Sequence, residues 1–252
     1  MSKKIAIAGK GGVGKTTTSG LIIRNLIDGG KGTVLALDAD PNSNLNEVLG
    51  VEVSSTIGMI REDFRKNAPR MTGGIFKDQM VEMNVHQALI EESSFDLLVM
   101  GRGEGPGCYC AANNLFKTYI DTLQDNYGWV VMDNEAGMEH LSRRTTSDVD
   151  WLLIVSDPSP RGILTAARIR DLAGEVDVSA GEIHLIVGRV DGELDGRLEK
   201  SIREKGLNLL GTINVDENIY DMDLEGGSVF DLPGDSTALV QVRAMLEKIG
   251  VV

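Results

Sequence analysis

The run Gly9-Lys10-Gly11-Gly12-Val13-Gly14-Lys15-Thr16 has the spacing G-x-x-x-x-G-K-[ST]. Residues of these types suit a chain of phosphates. The glycines let successive backbone N–H groups close around anionic oxygens, and a helix opening on the run turns its positive end toward them. Lys15 is placed for the β- and γ-phosphates and Thr16 for Mg²⁺, so the ligand implied is MgATP. The pattern carries this meaning only between a strand and a helix. Both are expected here: Lys4–Ala8 is a short apolar strand, and Thr16–Asp28 puts Ile22, Ile23, Leu26 and Ile27 at helical spacing. Gly9, Lys10, Gly11, Gly12, Val13, Gly14, Lys15, Thr16 and Thr17 are the candidate phosphate-site residues.

Two carboxylate positions belong beside such a loop. Leu37-Asp38-Ala39-Asp40-Pro41 follows a second apolar strand, Thr33–Leu37. Carboxylates at the C-terminal end of a strand lie next to the phosphate loop in an open α/β sheet. Asp40 is thereby a candidate beside the phosphates and their Mg²⁺; an N-cap for the next helix, from Asp40 or Ser43, is the other use of this segment. Trp129–Met132 is a third apolar strand ending in Asp133, a Walker B pattern that sets Asp133 near Mg²⁺ through water. In Asn134-Glu135-Ala136-Gly137 the glycine allows close backbone approach to a terminal phosphate. For the base, the candidates are Arg189, at the end of the strand before Asp191, and Asn214 and Val215 in a later loop; a purely backbone contact there stays open.

The only cysteines, Cys108 and Cys110, sit two apart beside the Gly/Pro-rich stretch Gly101–Gly107. A disulfide between i and i+2 is geometrically poor. Two thiolates make half of a closed soft-metal site, and a twofold dimer would supply the other half as Cys₄. Zn²⁺ would take such a set tetrahedrally, and nickel in a square-planar or distorted arrangement. Two ordinary loop thiols are the plainer alternative. His86, His140 and His184 are scattered and read as structural.

These residues need a scaffold of strands and helices. Further buried strands are expected at Phe95–Met100, Trp151–Val155, Ile183–Val187 and Leu209–Ile213, with helices at Leu115–Gln124, Gly162–Ala173 and Thr237–Ile249. Continuous apolar runs alternating with helices imply an α/β fold: a mostly parallel sheet flanked by helices on both faces, as a single domain over residues 1–252. Aromatics are only 4%, so the core must be aliphatic. Val51–Asn84 is irregular; a flap or helical insertion is expected there, with Met59, Met71, Met80 and Met83 as gap-fillers. The net charge of −13 argues against a nucleic-acid surface. No apolar run approaches the roughly 18 residues of a membrane span, and no secretory leader precedes the first strand, so a cytoplasmic protein with no membrane partner is expected.

The second lysine, Lys10, makes the loop resemble the deviant Walker A loop of the MinD, Mrp and nitrogenase iron-protein class. That resemblance implies that Lys10 reaches across a homodimer to the partner's nucleotide, making Lys10, Lys15 and Asp40 the catalytic set, with Asp40 orienting the attacking water. Asn44 stands where the iron proteins carry an Asp, and Gly188 where relatives often carry an Asn for adenine. With Gly107-Cys108-Tyr109-Cys110 and Met132-Asp133-Asn134-Glu135-Ala136-Gly137-Met138-Glu139-His140-Leu141 added, the chain looks like the carbon monoxide dehydrogenase/acetyl-CoA synthase maturation ATPases of the CooC/AcsF type. That family implies ATP-dependent nickel insertion into a nickel–iron–sulfur client enzyme. An electron-transfer ATPase like the nitrogenase iron protein is one rival, although those place their cysteines on both sides of Walker B. A positioning ATPase of the MinD/ParA kind is the other; it needs a membrane-binding tail or a basic face, and the last helix offers only Arg243 and Lys248.

Overall fold

Strand residues of alternating orientation build a sheet with two apolar faces. The computed structural model describes residues 2–67, 82–101, 118, 120–135, 148–175 and 179–252. Its elements in chain order are β1 (Lys3–Gly9), α1 (Lys15–Asp28), β2 (Val34–Asp38), α2 (Leu45–Leu49), α3 (Ile57–Asn67), β3 (Leu89–Glu91), β4 (Phe95–Val99), β5 (Trp129–Asp133), β6 (Asp148–Ser156), α4 (Pro160–Glu175), β7 (Ser179–Val190), α5 (Gly196–Glu204), β8 (Leu209–Asn214), α6 (Glu217–Glu225) and α7 (Thr237–Lys248). The sheet runs β3-β4-β2-β5-β1-β6-β7-β8. Every pairing is parallel except that of the short edge strand β3 with β4.

The period of two along each strand sorts the core into layers. Ile5, Ile7, Val34, Ala36, Trp129 and Val131 face one side, where α1 contributes Leu21, Ile22, Ile23 and Leu26 and α7 contributes Leu239, Val242 and Leu246. Ala6, Ala8, Leu35, Leu37, Val130 and Met132 face the other, covered by Ile163, Ala166 and Ile169 of α4. Helices therefore cover both faces, as the apolar runs require, and both layers are largely aliphatic.

The expected strands all form, β6 and β7 extending several residues beyond their apolar cores. Four short elements carried too little pattern to be read. β3 has three residues and α2 five, while α5 and α6 each bury a single residue, Ile202 and Met222. In the irregular stretch Ile57–Asn67 is helical, and a second helical run, residues 82–88, starts at its end; residues 68–81 lie outside the described residues. Met59 and Met83 are 59% and 53% exposed, so these two fill no gap. Met71, Met80 and the start of the helix expected at Leu115–Gln124 lie outside the described residues.

β1 is the switch point. Neighbours on one side lead back to β2 through β5, and on the other the chain proceeds through β6, β7 and β8. Ligands of open α/β sheets bind outside the carboxyl ends of strands at such a point. The register brings Ile7, Asp133 and Asp38 abreast there, on β1, β5 and β2.

Candidate functional site

The loop between β1 and α1 has its shape dictated by backbone approach. A Cβ on Gly9 would run into the carbonyl oxygen of Val155, so no other residue fits where β1 leaves the sheet. Val13 is buried and anchors the loop in the apolar layer beneath. Gly14, at φ +90°, turns the chain into α1 and offers no side chain to cap it. The first N–H groups of α1 thus face the loop without a capping oxygen from that residue. Lys15 is only 7% exposed, and its Nζ donates to the Lys10 carbonyl at 3.3 Å, longer than the roughly 2.7–2.9 Å of a strong charge-assisted bond. A buried ammonium so weakly occupied is poised to take an anion.

Behind Lys15 lies Asp133, 1% exposed at the end of β5. Ser19, one turn along α1 from Lys15, donates its hydroxyl to Asp133 Oδ1 at 3.0 Å. Burial pushes the Asp133 carboxyl up to about 6, against the hydroxyls of Thr16 and Ser19 and the charge of Lys15, which hold it down. Asp38 is fully buried in register with it. Burial, reinforced by the nearby Asp133 charge, pushes Asp38 up to about 7 despite N–H bonds from Leu45 and Asp40. Asp40 stands half-buried at the cleft, its Oδ1 accepting the Asn42 N–H at 2.8 Å. Neither Asp40 nor Ser43 caps α2; Asn44 holds that position without a side-chain bond, and Asp38 Oδ2 takes the Leu45 N–H instead.

These groups open on a cleft of about 970 Å³. Gly11, Gly12, Gly14, Lys15, Thr16, Thr17, Asp40 and Arg189 line it. Gly9, Val13 and Asp133 are buried and not among its lining residues, and Lys10, next to the lining Gly11, is exposed. Arg189 has φ +56°, and its Nη1 donates to the Gly12 carbonyl at 2.9 Å, tying β7 to the loop. Asn214 and Val215 are not among the lining residues. Asn214 is engaged with Gln241, in both directions, and with the Gly192 carbonyl; Val215 is 62% exposed. Glu135 lines the cleft, and Asn134 is buried with its Nδ2 on the Ile7 carbonyl. Buried His184 sits between Asn208 and Glu182, a structural role; His86 is exposed. Cys108, Cys110 and His140 lie outside the described residues.

Ser19 and Asp38 went unsingled in the sequence. Ser19 stands four residues after Lys15, hence on the same face of α1, and that spacing was a usable signal. Asp38 had only its place beside Asp40. The far wall of the cleft, with Glu47, Glu52 and Asp223, comes from elements distant in sequence.

A glycine-turned loop before a helix, a buried lysine and strand-end carboxylates at the sheet's switch point define a P-loop nucleotide-binding protein. The model of the CobQ/CobB/MinD/ParA nucleotide binding domain matches residues 4–229, and the chain belongs to this family of P-loop ATPases. It is 42% identical over 247 residues to an uncharacterized ATP-binding protein of Methanocaldococcus jannaschii, covering 97% of each chain. It is 34% identical over 262 residues to the carbon monoxide dehydrogenase accessory protein CooC of Rhodospirillum rubrum, covering 98% of this chain and 97% of that one. Among solved structures it is similar to the MinC:MinD cell division complex of Aquifex aeolicus, with a TM-score of 0.72 at 22% identity over 98% of this chain and 95% of that one. Membership implies MgATP, and the donor set fits: a buried lysine, a threonine hydroxyl and carboxylates are what phosphates and a hard cation take. Among the described residues no helix is long and apolar enough to cross a membrane.

Proposed function

We propose that the chain is an ATP-dependent maturation factor that assists nickel insertion into carbon monoxide dehydrogenase or acetyl-CoA synthase, acting in the cytoplasm as a nucleotide-gated homodimer. The observation that carries this reading is the end-to-end similarity, 34% identical, to a carbon monoxide dehydrogenase accessory protein. The Cys108-Tyr109-Cys110 segment supports it, since a maturation factor for a metalloenzyme needs a soft-metal site.

In this reading Lys15 and the backbone of Gly11–Thr16 hold the phosphates, and Arg189 on the cleft wall is the candidate for the base, with Asn214 and Val215 of the later loop as the alternatives. Thr16, Asp40 and Asp133 are the groups that would hold Mg²⁺, which when bound neutralises phosphate charge. Asp40 orients a water whose oxygen bonds to the γ-phosphorus while the bond to the β-phosphate oxygen breaks, giving ADP and phosphate. Lys10 of each protomer meets the nucleotide of the other. Cys108 and Cys110 of both protomers are the residues that would hold nickel or zinc, and a difference in metal affinity between open and closed dimers would couple the two events.

Metal analysis by mass spectrometry, combined with size-exclusion chromatography with and without MgATP, tests this. The expected result is about one metal per two protomers, as one shared site in a twofold dimer requires. Equal metal loading by a Cys108→Ser/Cys110→Ser variant would sink the metal part. A second reading, a positioning ATPase, is favoured by the same family membership, which takes in MinD and ParA. Co-sedimentation with anionic vesicles or with DNA, in the presence of MgATP, would decide for it. An iron–sulfur electron-transfer ATPase would instead show a cluster in the visible and EPR spectra of anaerobically prepared protein.

A further inference from the structure

The segment between β2 and α2, residues 39–44, carries Asp40 into the cleft, together with Asn42 and Asn44. A six-residue connection holding a reacting group needs something to fix both its ends. Its backbone closes one turn of its own, Ser43 N–H to the Asp40 carbonyl at 3.0 Å, and Ala39 N–H bonds the Asp133 carbonyl at 2.9 Å. Inside the segment, Asp40 Oδ1 also accepts the Asn42 N–H at 2.8 Å. One side chain from outside it reaches both ends. Asp38 Oδ1 accepts the N–H of Asp40 at 3.0 Å, and Oδ2 accepts the N–H of Leu45 at 3.0 Å. The first lies at the start of the segment and the second just past its end, on the first residue of α2.

Asp38 has no solvent to satisfy it, being 0% exposed. Its own backbone is fixed in the sheet, and its carbonyl accepts the Met100 N–H at 2.8 Å. The carboxylate is therefore a rigid two-ended acceptor set in the floor of the cleft. Pro41 adds a constraint, because the residue before a proline is pushed to extended backbone. A carboxylate is the only side chain of this size that accepts at both oxygens. Asparagine offers one acceptor and turns an NH₂ donor toward the other N–H.

We infer that Asp38 is a positioning residue for ATP hydrolysis: its carboxylate clasps both ends of the 39–44 segment and so holds Asp40 at the phosphate site. The inference rests on the reading of Asp40 as the water-orienting group. It predicts a split between binding and turnover, because the phosphates are held by the other wall of the cleft.

Asp38→Asn, which keeps size and shape, is the test. The expected result is a kcat lowered about 10-fold or more with KM for MgATP within about 3-fold of wild type, since small misplacements of a reacting group cost rate more than binding. In an Asp40→Ala background the same change should cost no further rate, because the clasp acts through Asp40. Wild-type kcat in Asp38→Asn, equal losses in binding and turnover, or additive losses in the double variant would each overturn the inference. Should the variant not fold, amide hydrogen exchange of the wild-type protein decides. Slow exchange at both Asp40 and Leu45 is expected, and unprotected exchange at Asp40 overturns the clasp. If Asp40→Ala alone keeps wild-type turnover, the reading of Asp40 fails. The clasp is then judged by the exchange of those two amides.

Discussion

Lys15, Ser19 and Asp133 form a buried line of charge, hydroxyl and charge under the phosphate loop. Ser19 is 0% exposed, and its hydroxyl is one of two on the Asp133 carboxylate. Ser19→Ala should leave a buried carboxylate short of one donor and cost about 1–3 kcal/mol, read as a lowered urea midpoint at unchanged m-value. The two strand-end carboxylates also give the protein a signed pH dependence. From an ordinary 3.8, Asp38 rises to about 7 and Asp133 to about 6 in the folded chain. The folded state thus binds more protons than the unfolded state from about pH 4 to about pH 7, and stability falls as pH rises through that window, then levels off. Urea midpoints of nucleotide-free protein across that range should show the fall. In Asp38→Asn it should be shallower. A wild-type midpoint that rises over the window would refute the assignment.

At the scale of elements, α1 is the hinge of the design, carrying the phosphate loop at its start and packing against α2 and α7 along its length. Gly20 marks where that packing is closest. A Cβ there would lie 2.5 Å from Val48 Cγ1 and 3.1 Å from Val229 Cγ1. Glycine to alanine within a helix normally gains about 1 kcal/mol from propensity. Here overpacking against two short branched side chains should reverse the sign, for a net loss of about 1–2 kcal/mol by chemical denaturation. The main strands were legible because residues buried on both faces leave continuous apolar runs, as in Ile5–Ala8 and Val34–Leu37. β3, α2, α5 and α6 were not, since each is too short or buries too little to imprint a period.

At the scale of the whole molecule, the proposed homodimer turns on Lys10. Lys10 is exposed beside the cleft, while Lys15, five residues on, is buried in it. On the dimer reading, Lys10→Ala should bind MgATP with near wild-type affinity but turn it over about 10²-fold or more slowly, as removal of a charge supplied in trans does in other nucleotide hydrolases. Single-turnover kinetics and fluorescent-nucleotide titration would separate the two. Loss of affinity in step with rate would instead make Lys10 part of its own protomer's site. With a non-hydrolysable ATP analogue, wild-type protein should elute as a dimer in light-scattering chromatography, and the Lys10 variant as a larger monomer fraction.

The sequence by itself determined the α/β class, the phosphate loop and the strands that end in Asp38 and Asp133. Those features are local: glycine spacing, apolar runs and a lysine at the start of a helix are written within a few residues of one another. Only the tertiary structure decided how they meet. The parallel register sets Asp38 beside Asp133, and burial there raises both carboxyls. Chain folding brings Arg189 onto Gly12 from 177 residues away and engages Asn214 with Gln241. It also gives Asp38 its grip on both ends of the segment that carries Asp40. Hydrogen-bond partners and desolvation depend on which backbone atoms arrive at a side chain, and no spacing along the chain encodes that.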